Sequence, residues 1–264
     1  MNEIIGYIGA LIIGLILGLT GGGGSILTVP VLVYVLLVNP VLATAYSLFI
    51  VGTTSAFGAT QNYFKGLVDL KTGFMFAIPS FIAVFLTRRY FLPILPEEIV
   101  KINGFILTKD TFLMLFFALV MLFAAYSMLK KPKLNLKELT QKKFISKLIV
   151  QNVIIGIVIG LIGAGGGFLI IPSLVLFARL PMKKAVGTSL FIITMNSLIG
   201  FLGDIHNPEI DWNFLLVFTS LSVIGIFLGI YLNKFINEKQ LKTGFGFFVL
   251  MMSCFILLKE FYFV

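Results

Sequence analysis

Charge is scarce in this chain. Of its 264 residues only 12% are Asp, Glu, Lys or Arg, against 59% hydrophobic, about half the charged share of a soluble domain. Cysteine occurs once, at Cys254, which excludes an internal disulfide. Its neighbours Met251 and Met252 assign it to lipid or helix packing rather than to soft-metal binding. Histidine also occurs once, at His206 in a loop beside Asp204, and reads as solvated. The chain has no His-Glu-x-x-His helix and no catalytic pair at depth, so an intramembrane enzyme is not expected, nor any metal or cofactor. Neither glycine run is followed by Lys-Ser or Lys-Thr, which excludes a Walker-type phosphate loop. The short segments of alternating polarity that build a membrane barrel are missing too.

What is present is a series of apolar runs approaching the ~20 residues that cross a hydrocarbon core. They predict an all-α, polytopic helical membrane protein with the lipid bilayer as its solvent. The net charge of +9 does not argue for nucleic acid, because the Lys and Arg residues gather in loops, as cytoplasmic loops do. Glu3, not a basic cluster, precedes the first apolar stretch, so that stretch reads as part of the mature chain.

An internal repeat organises the sequence. Gly21-Gly22-Gly23-Gly24-Ser25 returns as Gly163-Ala164-Gly165-Gly166-Gly167, 142 positions on. At the same offset Pro30 matches Pro172, Ala43 matches Ala185, Ser47-Leu48-Phe49-Ile50 matches Ser189-Leu190-Phe191-Ile192, and Asp69 matches Asp211. Shared apolar composition does not keep Gly, Pro, Ser and Asp in one register. Each copy reads as a first leg (4–20 or 148–162), a glycine break, and a second leg (26–38 or 168–180). Full spans follow at 43–62, 72–92 and 111–129, and again at 184–203, 213–233 and 243–260. A second leg of about 13 residues reaches only about 20 Å at 1.5 Å per residue, short of a ~30 Å core. Each pair of legs is therefore expected to be a re-entrant or broken-helix hairpin with its tip near mid-depth. The organisation is one membrane domain of two repeats, 1–129 and 148–264, joined by a basic cytoplasmic linker, 130–147.

Lys130, Lys131, Lys133, Lys137, Lys142, Lys143 and Lys147 put that linker inside. Counting crossings then places both termini outside, residues 93–110 outside, and Arg88 and Arg89 at the outer end of a span. An odd number of crossings per copy makes the copies inverted repeats, an arrangement that holds solute at the repeat interface near the midplane.

Candidate binding residues follow from donor chemistry. Glycine N–H groups at helix ends suit an oxyanion, which nominates Gly21, Gly22, Gly23, Gly24, Ser25, Gly163, Gly165, Gly166 and Gly167. The same glycines also serve tight turning and close packing. The polar spans add Ser47, Thr54, Thr188, Ser189 and Asn196, with Thr53, Ser55, Thr60, Gln61, Thr194 and Ser197 nearby. Such residues within a membrane usually face a bundle interior or cavity, and Ser or Thr also join helices by hydrogen bonds. No Lys, Arg, Asp or Glu lies deep in these two spans, so neutral donors would balance an anion. Asp69 and Asp211 read as helix N-caps, and Trp212 as an interfacial anchor.

The motifs GLIGAGGGFLIIPSLVL (160–176), AVGTSLFI (185–192) and EIDW (209–212), with GLTGGGGSILTVPVLV (18–33), ATAYSLFI (43–50) and LVDL (67–70) in the first copy, resemble the TauE/SafE sulfite exporter family, also called the four-toluene-sulfonate uptake family. The resemblance implies a secondary transporter, an exporter, of sulfur-containing anions such as sulfite or organosulfonates in a bacterial-type inner membrane. Ala45-Tyr46-Ser47 departs from the threonine–serine pair at Thr188-Ser189, which implies unequal half-sites. The paired breaks also suit an anion channel, and a non-transporting partner subunit is the remaining alternative. Oligomeric state is open.

Overall fold

Long apolar runs interrupted only by glycine, proline and charged caps leave helix as the one structure that satisfies every backbone group in lipid. The computed structural model describes residues 2–102, 105–129, 141–176, 178–205, 210–235 and 237–263. His206, Glu209 and the linker residues 130–140 lie outside them. In the first half, α1 (Asn2–Thr20) and α2 (Gly24–Pro30, extended by a π-helical turn Val31–Val35) form the two legs. They are followed by α3 (Pro40–Phe64), α4 (Leu70–Leu86), a π-helical turn Thr87–Phe91, and the short α5 (Leu92–Ile94). A hairpin of β1 (Glu98–Ile102) and β2 (Phe105–Thr108) then leads to α6 (Lys109–Leu129). This hairpin, in the loop expected outside, is the one departure from an all-helical chain among the described residues. The second half contains α7 (Gln141–Ile162), α8 (Gly167–Leu176), α9 (Met182–Phe201), α10 (Trp212–Leu232) and α11 (Glu238–Phe263). Thus α7 starts within the expected linker.

Five of these helices are long and apolar enough to cross a membrane: Pro40–Phe64, Leu70–Ile94, Lys109–Tyr126, Met182–Phe201 and Trp212–Leu232. Large apolar side chains point outward along them and their neighbours, including Phe123, Leu216, Phe227, Met251 and Leu258. In water such a surface would be costly; in lipid it is the solvated one.

The repeat is structural as well as textual. Gly21 and Gly163 both take positive φ, 73° and 69°, and so do Leu37 and Arg179, which also stand 142 apart. Gly21 N–H donates to Leu17 O and Gly163 N–H to Ile159 O; Val38 N–H donates to Leu32 O and Leu180 N–H to Leu174 O. The chain folds back at the first break, since Gly6 lies against Leu36 and Gly24 against Ile13 and Leu17.

Small residues set how the halves interlock. Gly14 and Gly18 of α1 lie against Ser222, Ile226 and Gly229 of α10, so closely that a Cβ on Gly14 would stand 1.9 Å from Ser222 O. The matched residues Gly156 and Gly160 of α7 lie against Ser80, Ala83, Val84 and Thr87 of α4. Each half thus lays its first leg, running parallel, on a helix of the other half. At the centre α3 crosses α9 antiparallel, with Leu48 beside Gly200, Gly52 beside Leu198 and Gly58 beside Leu190. Asn233, just past α10, donates through Nδ2 to Leu19 O. The turn at Gly21 therefore lies level with the end of α10.

Candidate functional site

The two glycine breaks touch. A Cβ on Gly22 would stand 2.6 Å from the Cα of Gly167, and one on Gly167 would stand 2.3 Å from the Cα of Gly22. Only glycine allows two backbones this close. The breaks are not identical, however. In the first, Thr20 Oγ1 accepts from Gly23 N–H at 2.7 Å and Ser25 Oγ donates to Gly22 O at 2.6 Å, so Gly23 keeps ordinary φ and α2 begins at Gly24. The second copy has Ile162 and Gly167 at those positions, and there Gly165 and Gly166 also take positive φ, 62° and 70°. Among the nominated amides, those of Gly21, Gly23, Gly163 and Gly166 already have protein acceptors. The bare-amide set is thus smaller than the glycine count implied.

The polar candidates fall at three levels along the α3/α9 pair. At one end Ser189 Oγ donates to Gly21 O at 2.5 Å and reaches Val186 O at 2.8 Å, while Thr188 Oγ1 accepts from Asp69 N–H at 3.0 Å. Tyr46 does the matching work at the other end, its hydroxyl oxygen accepting from Asp211 N–H at 2.7 Å. The two halves therefore fill one role with a threonine and a tyrosine. Asp69 and Asp211 cap α4 and α10, accepting from Thr72 and Phe214 N–H.

Mid-crossing is different. Thr54, Ser55, Asn196 and Ser197 are wholly buried, as is Ser47 two turns earlier in α3. The hydroxyls of Ser47, Thr54, Ser55 and Ser197 and the amide nitrogen of Asn196 have no hydrogen-bond partner. Thr54 and Asn196 are matched positions, as are Ser55 and Ser197. The Asn196 carbonyl end is fixed, accepting from Ser80 Oγ at 2.8 Å, which leaves its NH2 group as the idle donor. The second break lies against this level: a Cβ on Gly165 would stand 2.7 Å from Val51 Cγ1 and 3.0 Å from Ser197 Oγ. So the structure brings Thr54, Asn196 and Gly165 to one level and sets Thr188, Ser189 and Gly21 apart from them.

Sequence reasoning left out Ser80, and it placed Arg88 at the end of a span without seeing that it is buried. Arg88 is 1% exposed, in the π-helical turn after α4. Its Nε donates to Asp204 Oδ2 at 2.6 Å, and Nη1 donates to Thr44 Oγ1 at 2.8 Å and to Gly160 O at 3.4 Å. Burial pushes the Asp204 carboxyl above its usual range, with Arg88 opposing the shift. An arginine inside an apolar span, followed by an isolated aspartate after the polar span, was the available signal.

The model of the family "Sulfite exporter TauE/SafE" matches residues 7–256. The chain belongs to this family. A "Probable membrane transporter protein" of Xylella fastidiosa (strain 9a5c) is 27% identical over 256 residues, 94% of this chain and 92% of the relative. The "Probable membrane transporter protein YunE" of Bacillus subtilis (strain 168) is 34% identical over 119 residues, 42% of this chain and 44% of its own. "Probable membrane transporter protein MJ0441" of Methanocaldococcus jannaschii is 35% identical over 109 residues, 39% and 41%. No solved structure gives a significant match. Family and relatives together make this TauE/SafE protein a multi-pass membrane transporter.

Proposed function

We propose that this TauE/SafE protein is a secondary carrier that exports small sulfur-containing anions, such as sulfite or organosulfonates, by alternating access between two inverted repeats. The observation that carries the reading is the buried set at mid-crossing: Thr54, Ser55, Asn196 and Ser197, with donors that have no partner. Leaving such a group unpaired costs about 1–3 kcal/mol, so several at one level mark a place kept for a polar guest. A sulfonate or sulfite presents three oxygens, and hydrogen bonds to a charged acceptor are roughly twice as strong as neutral ones. Neutral donors hold such an anion without a fixed counter-charge that would retain it. The glycine turns contribute by letting the breaks close on this level, and Gly165 is the turn residue nearest to it.

The antiparallel crossing of the matched helices α3 and α9 supports inversion, because a two-fold axis along the membrane normal would pair them parallel. Lys65, Lys71, Lys183, Lys184 and Lys234 flank one end of the helices, and the positive-inside bias makes that end cytoplasmic. The sealed Arg88–Asp204 end favours a carrier over an open anion channel. Purified protein in proteoliposomes should show saturable sulfite or methanesulfonate counterflow, reduced at least tenfold in a Thr54→Val/Asn196→Leu double variant. Single-channel current, or unchanged flux in the folded double variant, would overturn the reading.

A further inference from the structure

The repeat relates two places that look nothing alike. Gly18, Asn62, Val186 and Ile230 line a cavity of about 210 Å³ that also reaches Lys65, Lys183 and Lys234. Moved by 142 positions, with the halves exchanged, Gly18 becomes Gly160, Asn62 becomes Asp204, Val186 becomes Thr44 and Ile230 becomes Arg88. Those four residues are the Arg88 cluster just described, in which the guanidinium bonds to Asp204, Thr44 and Gly160 O. Asn62 and Val186 lie at one end of the antiparallel α3/α9 pair, Thr44 and Asp204 at the other. One location of the fold is therefore hollow at one end and filled by an ion pair at the other.

Chemistry separates the two ends further. The hollow one carries three ammonium groups. Partial burial and then the charge of Lys234 hold the Lys65 ammonium below its usual range, and an anion would relieve that strain. A single water needs only about 10–15 Å³ of such space, so a cavity of about 210 Å³ admits a small oxyanion with part of its hydration shell. Asn62 is held by its own helix, donating to Gly58 O at 2.9 Å, which leaves its carbonyl side for waters. At the filled end the charges cancel, and the buried guanidinium of Arg88, bonded to Asp204, Thr44 and Gly160 O, occupies the space that is open at the other end.

The structure assigns the lysine cavity as the vestibule where a small oxyanion binds before reaching mid-crossing, and the Arg88–Asp204 pair as the lock on the matching vestibule at the opposite end. This rests on the carrier reading above. A π-helical turn at Arg88 suits the role, since such turns recur at functional sites. Removing one partner of a buried pair leaves the other charge uncompensated, so neutralising Asp204 should release the lock.

Thiol labelling reads access without needing any transported substrate. In a Cys254→Ser background, single-cysteine variants Val186→Cys and Thr44→Cys are treated with a membrane-impermeant maleimide on both sides of the membrane. Arg88 keeps its bonds to Asp204 in the Thr44→Cys variant, so the lock persists there. Val186→Cys is expected to react at least tenfold faster than Thr44→Cys, and methanesulfonate should slow it. Adding Lys65→Gln, Lys183→Gln and Lys234→Gln should remove that protection. Asp204→Asn should raise labelling of Thr44→Cys at least tenfold, whereas Asp204→Glu, which keeps the charge, should not. Equal labelling at both positions, no anion protection, or an inert Asp204→Asn would each overturn the assignment. If labelling behaves as expected but liposomes show no sulfur-anion flux, the carrier's substrate is wrong and the vestibules stand. If flux is present and labelling fails, only the vestibules fall.

Discussion

A buried hydroxyl without a partner weakens the fold it sits in, and this separates stability from function at Thr54. Replacing both members of a polar contact, or an orphan, by an apolar group of similar shape is nearly neutral or stabilising. Thr54→Val should therefore unfold at the same temperature as the parent or slightly above it, while anion flux falls at least tenfold. Thermal unfolding in detergent and liposome flux on the same preparation check both halves. The matched serines give an internal contrast. Ser189 bonds to Gly21 O and Val186 O, whereas Ser47 has no partner. Ser189→Ala should cost about 1–2 kcal/mol, by loss of hydrogen bonding to a break carbonyl, and Ser47→Ala should leave stability unchanged. Equal destabilisation by the two would mean that Ser47 is engaged after all.

At the scale of elements, helix contacts in lipid depend on backbone approach rather than on a hydrophobic drive between helices. The Gly14–Gly18 stripe of α1 and the Gly225–Gly229 stripe of α10 bring two backbones together, with a Cβ on Gly229 falling 2.1 Å from Leu15 O. Backbone cannot yield as a side chain can, so Gly14→Ala or Gly229→Ala should cost about 1–3 kcal/mol as overpacking. Gly244 of α11 has nothing within 4 Å, and Gly244→Ala should be neutral or stabilise by up to about 1 kcal/mol. Urea-free thermal melts of the three variants would check the order. The breaks and spans were legible in the sequence because Gly, Pro, Ser and Asp are rare events in apolar chain and their 142-residue register is hard to produce by chance. The Gly14/Gly18 and Gly156/Gly160 pairs kept the same register and could have been read as packing stripes. Arg88 could not be placed that way. Hydropathy ranks a residue along its own helix, and the group that buries Arg88 is Asp204, 116 positions on. The difference between the two breaks was also hidden, since it turns on whether a hydroxyl at position 20 or 25 takes up a turn amide or carbonyl.

Across the whole molecule, the halves are exchanged partners rather than adjacent blocks. The first leg of each lies along a helix of the other, and α3 and α9 share the central crossing, so neither half can bury its own glycine stripe alone. All the residues named in these contacts lie outside the Lys-rich linker. A protease site placed between Lys133 and Leu136 should be cleavable without dissociating the protein: the two fragments should co-elute in detergent and keep the parent melting temperature within a few degrees. Expressed separately, residues 1–134 and 135–264 should each aggregate or be degraded, because Gly14, Gly18 and Gly22 in one and Gly225, Gly229 and Gly167 in the other would lose the backbones they pack on. Co-expression should restore a single species of the parent's size. A stable, monodisperse isolated half would mean that each repeat closes on itself, and the interlocked arrangement on which both the mid-crossing site and the paired vestibules depend would have to be abandoned.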